Sequence, residues 1–149
     1  DRDNYLHTLP MFHCNGWGMP YAVTGMGGKH VVLREVRGED ILQRIEEHDI
    51  TYMCGAPAVV AAVLEAAQDW EGEIPGRGRV RMVVAGAPPP TQTIARMEEE
   101  LGWEFIQIYG LTETSPLLTM NRCRSEWDDF DFEEKARKLS RAGAPAIGV

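Results

Sequence analysis

Short apolar runs alternate with amphipathic stretches along the chain. Residues 5–9, stopped by Pro10, then 30–33, 52–54, 80–85 and 103–109 read as strands, and 116–120 as a sixth. The run 30–33 is Val-rich and lacks period-two alternation, which predicts a strand buried on both faces. Helical spacing fills the intervals. Residues 19–26 are apolar and closed by Gly27-Gly28. Gly38-Glu39-Asp40 opens a helix with its acidic residues in the first turn and Ile41, Leu42 and Ile45 on one face. Pro57 is placed as a first helical residue, and 58–68 is apolar nearly all round, which predicts deep burial. Ile94, Met97 and Leu101 share a face of a helix over 91–101 that Gly102 stops. Residues 69–79 read as a surface loop, and 126–141 as a charged tail, helical at least over 132–139, with Phe132, Ala136 and Leu139 on one face.

Strands that alternate with helices imply βαβ units: an α/β fold with a mainly parallel sheet, flanking helices and right-handed crossovers. In such sheets ligands sit beyond the carboxyl ends of the strands. Four segments follow predicted strand ends and are therefore expected on one rim: 11–17, 55–57, 86–88 and 109–113.

Composition narrows the class. A length of 149 residues fits a single α/β piece, and the net charge of −8 argues against a nucleic-acid surface or a basic membrane stripe. No apolar run approaches a bilayer span. Cys14, Cys54 and Cys123 are odd in number and in no metal-ligand pattern, which predicts reduced thiols and a cytoplasmic location. The chain starts at Asp1 rather than Met and stops in the apolar Ile147-Gly148-Val149, which reads as the start of another strand; a longer parent polypeptide is expected.

The richest stretch is Gln107-Ile108-Tyr109-Gly110-Leu111-Thr112-Glu113-Thr114-Ser115-Pro116. An apolar strand runs into a Gly turn that presents an aromatic ring, a hydroxyl and a carboxylate within five positions. A stacking surface, a phosphate-contacting hydroxyl and a hard oxygen ligand suit a nucleotide with Mg²⁺. Other readings of striking residues are bland. His7, His13 and Cys14 fit no zinc spacing, Gly25-Met26-Gly27-Gly28 is no dinucleotide fingerprint, and Ser115 sits in no nucleophile elbow.

Tyr109-Gly110-Leu111-Thr112-Glu113 resembles the Tyr-Gly-x-Thr-Glu signature of the adenylate-forming (AMP-binding) superfamily. Pro10-Met11-Phe12-His13-Cys14-Asn15-Gly16-Trp17 is similar to the Pro-x-Phe-His-x-x-x-Trp loop of acyl-CoA ligases. Cys54-Gly55-Ala56-Pro57 resembles the acyl-pocket segment, Ala85-Gly86-Ala87-Pro88 the strand end that receives adenine, and Trp127 to Gly143 an insertion of fatty-acyl and methylthiopropionyl-type ligases. The matches run in order through the central part of the family's large N-terminal domain, and the fold this implies is its flavodoxin-like subdomain, incomplete.

The resemblance implies roles. Tyr109 stacks on adenine, Gly86, Ala87 and Pro88 line base and ribose, and Gly110 and Thr112 belong to the nucleotide site. Thr112 contacts the α-phosphate and Glu113 holds Mg²⁺. His13 lies beside the reacting carboxylate, Trp17 at the mouth of the acyl tunnel, with Gly16 and Gly55 also on the acyl side. The implied parent activates a fatty or medium-chain carboxylic acid with ATP and transfers it to coenzyme A, and allows a homodimer.

Residues 1–149 contain no Ser/Thr/Gly-rich loop ending in Lys, no Thr-Gly-Asp segment and no C-terminal domain with its Lys. The resemblance puts these before Asp1 and after Val149, so the segment alone is expected not to turn over ATP. Two alternatives stand beside the enzyme: a non-catalytic adenine-nucleotide and acyl-binding module, and a flavodoxin-like interaction domain.

Overall fold

The computed structural model describes residues 2–149. Strands β1 (Asn4–His7), β2 (Lys29–Val32), β3 (Tyr52–Gly55), β4 (Arg81–Val84), β5 (Glu104–Gly110), β6 (Leu117–Arg122) and β7 (Ala144–Pro145) form one sheet in the order β2-β1-β3-β4-β5-β6-β7. β1 to β5 are parallel, and β6 and β7 extend the sheet antiparallel. The order 2-1-3-4-5 of the parallel part is the flavodoxin-like doubly wound arrangement.

The two faces are unequally covered. Helices α3 (Gly38–His48), α4 (Pro57–Gln68), α5 (Thr91–Arg96) and α6 (Phe132–Leu139) lie on one face, where Ile41, Ile45, Val63, Leu64, Ile94 and Leu139 meet Met82, Val84 and Phe105. Among the described residues α2 (Met19–Gly25) is the main cover of the other, packing Val23 on Tyr5, Cys54, Val83 and Ile106. A π-helical turn, Met97–Leu101, continues α5 to Gly102, whose φ of +66° ends it as the sequence predicts. The loop after α4 is anchored where the Trp103 indole donates to the Pro75 carbonyl at 2.9 Å.

Four expectations change. β2 is an edge strand in which only Val31 is buried; lack of alternation there reflects position at the margin rather than cover on both faces. α4 buries Val60, Val63 and Leu64 on one side and exposes Ala58, Ala61 and Glu65, because alanine favours helix without requiring burial. In α6, Ala136 and Leu139 are buried but Phe132 is 44% exposed at the first turn, where the Asp131 carboxylate accepts from the Glu134 N–H at 2.8 Å. The last strand forms at Ala144–Pro145 rather than at 147–149, where the side chains of Ile147 and Val149 are exposed. No helix among the described residues is long and apolar enough to cross a membrane.

Candidate active site

The parallel strands end on a common edge, and the segments after β1, β4 and β5 meet there. The register pairs Met82 with Phe105 and Val84 with Gln107. β4 ends at Val84, and Gly86, with a φ of +91°, turns the chain away just beyond the last paired residues. Alternation gives the two faces different contents. Phe105, Gln107 and Tyr109 project on the α5 side, whereas Ile106 and Ile108 project on the α2 side, as their core contacts show for Phe105 and Ile106.

On the α2 side a small cleft of about 70 Å³ opens at the edge. His13, Trp17, Gly86 and Gly110 line it, together with Cys14, Ala85, Ile108 and Leu111, and Pro116 and Leu117 close it. Trp17 also packs on the cluster around Tyr5 and Val23, so the ring serves the core and the cleft wall together. A second cleft, of about 160 Å³ beside Met19, Met26 and Tyr52, lies at the amino ends of the strands, away from these residues.

The loop that carries His13 and Trp17 has an unusual backbone. Segment α1 (Cys14–Trp17) is a left-handed turn: φ is +46° at Cys14, +48° at Asn15, +59° at Gly16 and +58° at Trp17. Such a turn costs about 1–2 kcal/mol per non-glycine residue, so it persists only where its surroundings hold it. The Gly16 N–H donates to the His13 carbonyl at 2.9 Å, and Gly18, with φ of +72°, closes it through its N–H to Cys14 and Asn15. The Cys14 thiol lies 3.1 Å from the Thr112 hydroxyl and joins this loop to the one after β5.

The loop after β5 is closed tightly. The Leu111 N–H donates to the Pro116 carbonyl at 3.0 Å and to the Thr114 hydroxyl at 2.9 Å, and Ser115 takes a φ of +63°. Thr114 is thereby used by the turn. Tyr109 is 46% exposed and Glu113 is exposed; neither side chain has a hydrogen-bond or ion-pair partner among the described residues. Ala87 and Pro88 are exposed after β4 and do not line the α2-side cleft, nor do Tyr109, Thr112 and Glu113. Gly55 is buried, and a Cβ there would meet the Met82 methyl at 2.9 Å and Val59 at 3.1 Å, so it stands behind the rim. Gly16 is buried beside Pro20, at the back of its turn.

Gln107 is a buried polar residue in an apolar strand. It is 6% exposed, yet its Oε1 accepts no hydrogen bond, and its Nε2 reaches only the Ile108 carbonyl at a long 3.5 Å. A buried acceptor left unpaired costs about 1–3 kcal/mol, and here it lies on the face of Tyr109. The Gln107 Oε1 is sealed from solvent as well as unpaired, so it is a polar group held inside the sheet face rather than an open acceptor. An interior polar residue in the apolar run 104–109 is the signal that finds it.

A family model described as "AMP-binding enzyme" matches residues 1–149. The chain belongs to the AMP-binding enzyme family. A 2-methylpropanoate–CoA ligase (CCL4) of Humulus lupulus is 39% identical over 143 residues, covering 96% of this chain and 25% of its own length. A peroxisomal trans-cinnamate:CoA ligase of Petunia hybrida is 36% identical over 145 residues, covering 97% and 25%. The chain thus spans about a quarter of the curated relatives it matches. The fold agrees with o-succinylbenzoate coenzyme A synthetase (MenE) of Bacillus subtilis, solved in complex with ATP and magnesium ion. That match has a TM-score of 0.75 at 24% identity and covers 97% of this chain and 27% of that one. It agrees equally with the N-terminal domain of FACL13 from Mycobacterium tuberculosis, at a TM-score of 0.76, 24% identity, and 97% and 34% coverage.

Proposed function

We propose that residues 1–149 are one α/β piece of the nucleotide-binding part of an ATP-dependent acyl-CoA synthetase. The observation that carries this reading is the meeting of the β1, β4 and β5 ends at one edge, with different chemistry on its two sides. On the α5 side, the exposed ring of Tyr109 offers a stacking surface for adenine, with Gly86, Ala87 and Pro88 toward the base and ribose. On the α2 side, His13 and Trp17 line an apolar-walled cleft for the acid. Gly86 leaves open space at the edge for a ligand, whereas Gly110 lets the β5 turn close against the Pro116 backbone. Gly86 has a φ of +91° with nothing near its Cβ position, and Gly110 has backbone behind it.

The residues fit the groups the reaction needs. Glu113 is an exposed carboxylate in no ion pair, and no group of three His, Cys, Asp or Glu side chains gathers around it or elsewhere among the described residues. One carboxylate suits Mg²⁺, which keeps most of its waters and takes the rest of its shell from phosphate. When bound there, Mg²⁺ would offset phosphate charge as a second anion approaches. Thr112 would donate its hydroxyl hydrogen to an α-phosphate oxygen. His13 would orient the carboxylate of the acid. An oxygen of that carboxylate attacks the α-phosphorus and the bond to pyrophosphate breaks. The sulfur of coenzyme A then attacks the acyl carbon, AMP leaves, and the thiol proton is lost.

A fatty or medium-chain acid is the substrate we infer from the His13–Trp17 loop. The relatives named for 2-methylpropanoate and trans-cinnamate make short branched and aryl acids its rivals. A cytoplasmic location rests on three unpaired cysteines, and the peroxisomal names of relatives make the peroxisome its rival. A homodimer of the parent is part of the same proposal. The test is acid-dependent pyrophosphate release by the full-length parent with ATP and Mg²⁺, over octanoate, palmitate, 2-methylpropanoate and cinnamate. The reading predicts release with at least one acid, its loss in Glu113→Ala, and none from residues 1–149 alone. Release that ignores the acid, or survives Glu113→Ala, overturns it.

A further inference from the structure

We propose that Cys14 is a positioning residue that aims the hydroxyl of Thr112 at the phosphate. This rests on the reading above that an anion lies at Thr112. The two side chains are 98 residues apart in sequence and 3.1 Å apart in space. Each loop brings a reason for the contact. The left-handed turn Cys14–Trp17 holds a backbone that its own residues disfavour, and the Cys14 side chain is its link to the β5 loop. In that loop, Thr114 is spent on the Leu111 N–H and on the carbonyls of Leu111 and Pro116, while among the described residues the Thr112 hydroxyl meets no partner but Cys14.

The chemistry of the pair sets the direction. A hydroxyl has one hydrogen to give and two lone pairs to receive. If Thr112 spent its hydrogen on the sulfur, a weak acceptor, nothing would be left for an anion. If the Cys14 S–H donates instead, Thr112 accepts through one lone pair and keeps its hydrogen free. An anionic oxygen is a far better acceptor than a thiol, so a phosphate at the rim selects this arrangement. Cys14 then fixes the hydroxyl's rotation and couples the loop beside the acid to the loop beside the phosphate.

The test is equilibrium binding of AMP and of adenosine to this chain, in wild type, Cys14→Ala, Cys14→Ser, Thr112→Val and the Cys14→Ala/Thr112→Val double variant, each checked for folding by its urea midpoint. Cys14→Ala should weaken AMP roughly threefold to tenfold and leave adenosine unchanged, the range of one hydrogen bond. Cys14→Ser, which keeps a donor, should restore AMP binding. In the Thr112→Val background, Cys14→Ala should have no further effect on AMP, since coupled residues are non-additive. Equal weakening of AMP and adenosine by Cys14→Ala, failure of serine to rescue, or additive losses in the double variant would each overturn the proposal while leaving the nucleotide site standing. Wild type that binds AMP no tighter than adenosine, or neither, would instead remove the anion at Thr112 and the proposal with it.

Discussion

Replacing Gly110 by alanine should break the turn on which the whole rim depends. A Cβ at Gly110 would lie 2.6 Å from the Pro116 carbonyl carbon and 3.1 Å from the Leu117 Cα, with the Pro116 oxygen nearer still. All three are backbone atoms and cannot rotate away. The Leu111 N–H bond to Pro116, 3.0 Å long, and the Thr114 bond to the same carbonyl would have to open. Overpacking of this kind costs about 1–3 kcal/mol, and one or two lost hydrogen bonds add about 0.5–1.5 kcal/mol each. The sum, about 1.5–6 kcal/mol, is a large share of the roughly 5–15 kcal/mol that holds a domain folded. Gly86→Ala is the control: its φ is +91° but nothing stands within 4 Å of the new carbon, so only the backbone term applies. That term is about 1–2 kcal/mol. Urea unfolding separates the two, since with a slope of about 2 kcal/mol/M a loss of 2 kcal/mol moves the midpoint by roughly 1 M. A Gly110→Ala midpoint no lower than that of Gly86→Ala would refute the reasoning.

Glu113→Gln should leave stability within the roughly 0.5 kcal/mol of a neutral surface change by urea unfolding, because the exposed carboxylate has no partner among the described residues, while weakening Mg²⁺-ATP binding; a stability loss above about 1 kcal/mol would show a structural role. Tyr109→Ala should weaken AMP about tenfold or more, the worth of an aromatic ring under a base, and Tyr109→Phe should not; equal losses, read by calorimetry, would rule out stacking. His7, 6% exposed and 2.8 Å from His30, has its pKa held below the ordinary 6.5, by burial first and by the neighbouring His30 second. The unfolded chain therefore binds a proton that the folded chain refuses just below pH 6.5. Stability, complete above that pH, should fall as pH drops through it, by at most about 1.4 kcal/mol per pH unit for this group. Urea midpoints across pH 5 to 8 should show this fall in wild type and a flatter line in His7→Gln; parallel lines would contradict it.

Periodicity made the parallel sheet and its rim legible, because β1, β3, β4 and β5 are apolar runs followed by glycine, proline or polar residues. It failed where position in the sheet decides burial: the run that forms β2 has the composition of a central strand and stands at the margin. It overstated α4, since a string of alanines marks helix rather than core. The motif stretch pointed to Tyr109, Gly110, Thr112 and Glu113, yet the contacts that shape their surroundings lay elsewhere. The Pro116 carbonyl behind Gly110 and the thiol at Thr112 are pair relations across a turn and 98 residues of chain. No spacing in one sequence carries such relations. The left-handed turn at Cys14–Trp17 was equally hidden, because Asn15 and Gly16 are types that a positive φ favours but Cys14 and Trp17 are not.

The central claim is that an adenosine phosphate lies across the carboxyl edge of the sheet, with its base on the Tyr109 side and its phosphate between Gly110 and Thr112. Amide chemical shifts of the isotope-labelled chain, titrated with AMP, test it most directly. Saturable shifts centred on Gly86, Ala87, Gln107, Tyr109, Gly110 and Thr112 are predicted. Shifts that gather instead around Met19, Met26 and Tyr52 at the opposite edge, or none that saturate, would contradict it.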